Sequence, residues 1–204
     1  MLNSFSGRLS LSVLVILMTM PDARSEEVNY DYLEANIVTT TVDLGNSIED
    51  IEGNGFGFSL SLAINSHLAL SLSVISTTFK TFQGIVVDDS KKTDLGVTAH
   101  TTIAPATDVF ATLLATKAEV NVPEGSTSED DVDYGTVFGV GLRHKGRNGL
   151  ELELGGSNTE VFDTSTFSYN ITARLYFRKV FSAGIGYISS DNADSFLLNV
   201  RMDI

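Results

Sequence analysis

From Tyr30 onward, apolar and polar side chains trade places at a period of two, the signature of extended strands with one apolar face. Gly55-Phe56-Gly57-Phe58-Ser59-Leu60-Ser61-Leu62 keeps the alternation without a break. Leu68-Ala69-Leu70-Ser71-Leu72-Ser73-Val74 resumes it after an Asn65-Ser66-His67 turn. Leu150-Glu151-Leu152-Glu153-Leu154 and Ile171-Thr172-Ala173-Arg174-Leu175-Tyr176-Phe177 repeat it further on. The pattern predicts ten strands, near 29–42, 53–64, 68–80, 93–102, 108–120, 134–144, 149–160, 165–178, 180–189 and 195–204. An eight-strand count stays open, because the first segment is less regular than the others. No helical stripe and no long internal repeat competes with this reading.

The connections fall into two sets. One is short, at 65–67, 103–107, 145–148 and 178–180; the other is mostly longer and acidic, at 43–52, 81–92, 121–133 and 160–164. Membrane barrels of bacterial outer membranes have short turns on one rim and longer loops on the other, and an even strand number leaves both termini with the short turns.

Alternation alone does not say which face looks inward. The non-apolar face of the second and third strands is Gly55, Gly57, Ser59, Ser61 and Ala63, then Ala69, Ser71 and Ser73. Small uncharged side chains are a poor coat against water but suit a narrow lumen, where they leave room for larger groups across the bore. Those larger groups are Glu34, Arg143, Glu151, Glu153, Arg174, Tyr176 and Arg178, each on the polar parity of its strand. The apolar parity carries no charge at mid-strand, where one would cost about 2–4 kcal/mol in lipid. Lys117 and Glu119 break that rule only near a rim. Tyr32, Tyr134, Phe138, Tyr169, Phe177, Phe181 and Tyr187 fall towards strand ends, where interfacial aromatic girdles sit. The expected fold is therefore all-β: an antiparallel up-and-down transmembrane β-barrel of 8–10 strands, with ten favoured.

The first 25 residues read as an address. Arg8 precedes an apolar run over residues 9–20, Pro21 ends it, and Ala23-Arg24-Ser25 places small residues at the −3 and −1 positions of a cleavage site. That is a signal peptide, too short for a membrane-spanning helix. Residues 26–204 are then the mature barrel. Charged residues make up only 19% of the chain, against about 25% in ordinary globular domains, as a lipid-facing exterior requires. The absence of cysteine rules out disulfides and thiolate metal sites. A net charge of −13 argues against nucleic acid as a partner.

Several short segments are similar to those of a known group. Tyr30-Asp31-Tyr32-Leu33-Glu34 resembles the opening of small outer-membrane β-barrel proteins of proteobacteria, the OmpA/OmpX-like barrel group. Thr107-Asp108-Val109-Phe110-Ala111 after Pro105 and Gly139-Val140-Gly141-Leu142-Arg143 are similar in kind. So is the closing stretch from Ala173-Arg174-Leu175-Tyr176-Phe177 through Phe181-Ser182-Ala183-Gly184-Ile185-Gly186-Tyr187. Together they span residues 28–204. The resemblance implies an outer-membrane location in a diderm bacterium, with outer-membrane lipid, lipopolysaccharide and the barrel-assembly machinery as partners. It implies no single activity. In that group the last strand usually ends in Phe or Trp, whereas this chain ends in Ile204.

Glu34, Glu151, Glu153, Arg143, Arg174 and Arg178 are the candidates for a lumenal ion-pair network, because charges in a narrow, low-dielectric bore must be paired. A second candidate is the acidic cluster Glu124, Glu129, Asp130, Asp131 and Asp133, whose oxygens suit a hard divalent cation, although the spacing of a calcium loop is missing. A solvated, mutually repelling surface is the plainer reading. His67, His100 and His144 lie far apart in sequence; a hydrolase built on His100 or His144 is the weaker expectation, and no cofactor is expected. The sequence thus points to a monomeric, non-enzymatic barrel with a structural or surface-interaction role and a plugged lumen. The alternatives are a small pore, a soluble periplasmic barrel holding an apolar ligand, and an outer-membrane enzyme.

Overall fold

The computed structural model describes residues 28–43, 50–79, 89–121 and 131–204. They form ten strands: β1 (Tyr32–Val42), β2 (Ile51–Asn65), β3 (Leu68–Phe79), β4 (Asp89–Ala104), β5 (Thr107–Asn121), β6 (Asp131–Lys145), β7 (Leu150–Val161), β8 (Thr164–Arg178), β9 (Phe181–Ser190) and β10 (Ala193–Asp203). Each strand pairs antiparallel with its chain neighbours, and β1 pairs with β10, so the sheet closes on itself with no free edge. The ten-strand expectation holds, and the eight-strand count does not. The apolar segment over residues 9–20 and the cleavage site after Ser25 lie outside the described residues.

Why these segments become strands follows from the alternation. Phe56, Leu113 and Ile185 point outward and are 71%, 58% and 63% exposed, while Ser61, Ala69, Thr98 and Asn199 point inward and are buried. An exterior made of Leu, Ile, Val and Phe around the whole circumference is the surface that suits lipid. β4 begins about four residues before the alternation does. Its polar start still finds partners, with Lys91 opposite Glu119 and Lys92 opposite Ala118. Hydrogen bonding carries that strand beyond the apolar band.

The short turns are tight. Gly149 takes a φ of 76° in the β6–β7 connection, a conformation open to a residue without Cβ. Between β5 and β6, the Phe110 ring lies over Gly141, where an added Cβ would meet its Cζ at 2.4 Å. Glycine there makes room for an aromatic ring inside the bore.

The β7–β8 connection is shorter still than the 160–164 segment expected on its rim. It is a two-residue turn with Phe162 and Asp163 at φ 53° and 52°, the geometry that matches strand twist in a hairpin. The Asp133 carboxylate accepts the Phe162 amide and braces it.

Candidate functional site

Charges from five strands meet inside the bore near the short-turn rim. Register sets the pieces in place, bringing Arg143 opposite Glu153 across β6–β7 and Glu151 opposite Arg174 across β7–β8. β10 brings Arg201 opposite Glu34. The side chains then reach across as well as sideways. Arg143 Nη2 sits 2.8 Å from Glu153 Oε2. Arg174 Nε donates to Glu34 Oε2 of β1, three strands away round the barrel, at 2.9 Å, and its Nη1 lies 3.3 Å from both Glu151 Oε1 and Glu153 Oε2. Arg201 Nη1 reaches Glu151 Oε1 at 3.3 Å while its Nε donates to Asp203 Oδ1 at 2.9 Å.

Every carboxylate in this cluster has a guanidinium beside it, as burial demands. Arg201 and Glu151 have no exposed surface at all. Aromatic faces complete the packing. The Tyr32 ring lies 3.7 Å from Arg201 Cζ, the Lys145 ammonium sits 3.9 Å above the Tyr176 ring, and the Tyr176 hydroxyl donates to Asp203 at 3.2 Å.

The chain just before β1 folds into the same rim. Asn29 O accepts from Arg201 Nη2 at 2.6 Å, and Asp31 Oδ1 accepts the Ala63 amide at 2.5 Å, so the segment is held by both strands that flank β1. Between those ties Tyr30 is buried, stacked on His100 with centroids 3.6 Å apart, with Arg143 Cζ 4.9 Å from its ring. Burial pushes the Tyr30 phenol above its ordinary value, against the pull of Arg143.

Of the six residues expected in the network, five meet there: Glu34, Arg143, Glu151, Glu153 and Arg174. Arg178 does not. A register shift between Tyr176 and Arg178 breaks the parity at the end of β8, and Arg178 stands exposed at the turn. Tyr32 is a second correction, because it turns into the bore rather than joining an interfacial girdle. Arg201, Asp203 and Asn29 were not expected in the cluster. The signal for the first two was present: Phe196, Leu198, Val200 and Met202 occupy one parity of the last strand, so Arg201 and Asp203 must occupy the other.

The acidic cluster is only partly in view. Glu124, Glu129 and Asp130 lie outside the described residues, Asp131 is exposed at the start of β6, and Asp133 is engaged in the β7–β8 turn. Among the described residues no group of three or more His, Asp or Glu side chains is arranged to hold a metal ion. His100 and His144 are not brought together. His144 bonds Thr107 Oγ1 through Nδ1 at 2.8 Å, whereas His100 faces inward, its Nδ1 3.6 Å from Asp108 Oδ2.

No protein-family model matches the chain, and no curated protein matches it in sequence. Solved structures do match in shape. An outer membrane channel from Pseudomonas putida F1 aligns over 90% of this chain and 98% of its own, at 13% identity and a TM-score of 0.52. The KdgM porin aligns over 85% and 99% at 6% identity and a TM-score of 0.47. Outer membrane phospholipase A from Escherichia coli aligns over 94% and 97% at 8% identity and a TM-score of 0.40. The likeness to the Pseudomonas channel shows a shared fold, the closed outer-membrane β-barrel.

Proposed function

We propose that this protein is a monomeric, non-enzymatic barrel of the outer membrane of a diderm bacterium, plugged at its periplasmic end and working through its external loops in a structural or surface-interaction role. The observation that carries the reading is the buried cluster of Arg143, Arg174 and Arg201 with Glu34, Glu151, Glu153 and Asp203 across the bore. Charges confined together in low dielectric attract strongly, so they hold one another and leave little room for free electrolyte. The apolar exterior supports the membrane location, with lipid and lipopolysaccharide as its surroundings and the barrel-assembly machinery as its route there. The signal-peptide pattern ending at Ser25 supports the export step. The short motifs and the ion-paired bore support the finer kinship with the OmpA/OmpX-like group.

A small pore is the second reading. About eight strands give a bore that side chains just fill, and this barrel has ten. Cavities of about 160 Å³ and 650 Å³ remain on either side of Tyr30. Planar-bilayer recording separates the two readings. The unmodified protein should show little or no steady conductance, and Arg174→Ala should raise the conductance and lower the unfolding temperature together. Large, long-lived ohmic openings from the unmodified protein would overturn the plug and promote the pore.

A further inference from the structure

The plug occupies one side of the bore. The other side, formed by β2–β5, has no arginine of its own, and hydroxyls of Ser61, Ser71, Thr98 and Thr112 line its 160 Å³ cavity beside the apolar Phe110 and Leu114. Arg143 and Glu153 border this space, but they are paired to each other. On the short-turn side of Tyr30 lies the 650 Å³ cavity, bordered by Asn65, His67, His100, Thr102 and Asp108. Tyr30 lines both spaces.

Unpartnered polar atoms mark the same track. Six buried side-chain atoms among the described residues lack a hydrogen-bond partner, and four of them are Tyr30 OH, His100 Nε2, Asp94 Oδ1 and Thr116 Oγ1. Asp94 and Thr116 face each other across β4–β5. A buried polar group left alone is costly, so these four favour a partner such as water. The room is there, since one water needs only about 10–15 Å³.

We propose that this hydroxyl-lined side is a second path through the barrel, one that takes water and small monovalent cations and is closed by the Tyr30 ring. It rests on the membrane-barrel reading above. Carboxylates set the sign. Asp94 stands at one end with one oxygen free and the other 3.6 Å from Lys92 Nζ, and Asp108 stands at the other end. Hydroxyls with one carboxylate at a time suit a monovalent ion, whereas a divalent ion seeks six or more oxygens, several of them charged. Tyr30 is placed to act as the closure, clamped between the Arg201 tie at Asn29 and the Ala63 tie at Asp31, with its ring flat against His100. Drawing residues 28–31 out of the rim joins the two cavities.

The test records the full chain, folded in detergent and reconstituted in planar bilayers, under a KCl gradient. The unmodified protein and Tyr30→Phe, which keeps the ring, should stay silent. Tyr30→Ala should gain a small conductance with a reversal potential shifted toward that of potassium, and adding Asp94→Asn should remove the shift. The chain has no cysteine, which permits a second reading. A thiol introduced by Thr98→Cys should react with a cationic methanethiosulfonate in the Tyr30→Ala background and resist it otherwise. Should Tyr30→Ala not fold, His100→Ala, which removes the other half of the stack, is read in the same way. A folded ring-removal variant that stays silent and leaves the thiol unlabelled overturns the path, as does an anion-selective reversal potential. Openings already present in the unmodified protein overturn the plug instead, so the two failures are distinguishable.

Discussion

Arg201 is the residue on which the rim cluster converges. Its guanidinium meets Glu151, Asp203, the Asn29 carbonyl and the face of Tyr32, and none of it reaches solvent. Removing one partner from a buried ion pair leaves an uncompensated charge, at a cost of about 3–5 kcal/mol. Arg201→Ala should therefore lower the urea midpoint of the detergent-folded barrel markedly. Arg178→Ala, at an exposed turn outside the cluster, should leave the midpoint unchanged. Equal effects of the two substitutions would mean that the cluster contributes nothing beyond any surface charge.

At the scale of the strand, the faces are assigned by what a charge would meet. Leu70 on β3 points outward into the apolar band, opposite Leu62 and Val97. Ser71 points inward, its Oγ 2.8 Å from Thr98 Oγ1, and borders the cavity that Asp94 and Glu153 also line. An arginine at 70 has lipid around it and no counter-charge, a penalty of up to about 2–4 kcal/mol by depth; an arginine at 71 enters a space with carboxylates in reach. Leu70→Arg should cut the yield of heat-modifiable, folded protein far more than Ser71→Arg. The reverse order would invert inside and outside and favour a soluble barrel. Element ends obey a different logic. Lys117 and Glu119 both point outward, yet they sit near the long-loop end of β5 and pair with each other, so the apolar band itself stays free of charge.

For the whole molecule, closure is the decisive event. β1 and β10 pair along eleven residues, from Tyr32 opposite Asp203 to Val42 opposite Ala193, which removes both edges that an open sheet would expose to other chains. Closure also brings Glu34 of the first strand, Arg174 of the eighth and Arg201 of the last into one cluster. The exported protein should begin near Glu26 and fractionate with the outer membrane. N-terminal sequencing that finds Met1 on the membrane-inserted form would remove the signal-peptide assignment.

The sequence by itself favoured ten strands and held the alternation along each, and with it five of the seven residues of the cluster, because these follow from a period of two that a slip of one residue would invert. It also contained the parity that places Arg201 and Asp203 in the bore, opposite the apolar face of Phe196, Leu198, Val200 and Met202. What it did not hold was distance across the barrel. Which guanidinium meets which carboxylate depends on shear and on rotamers reaching over the bore, so Arg174 pairs with Glu34 from a strand it never touches. The loss of Arg178 turns on a register shift at the end of one strand. The closure at Tyr30 depends on residues outside any strand, whose place is set by Ala63 of the adjoining β2 and by Arg201 of β10, which the segment meets only once the sheet has closed.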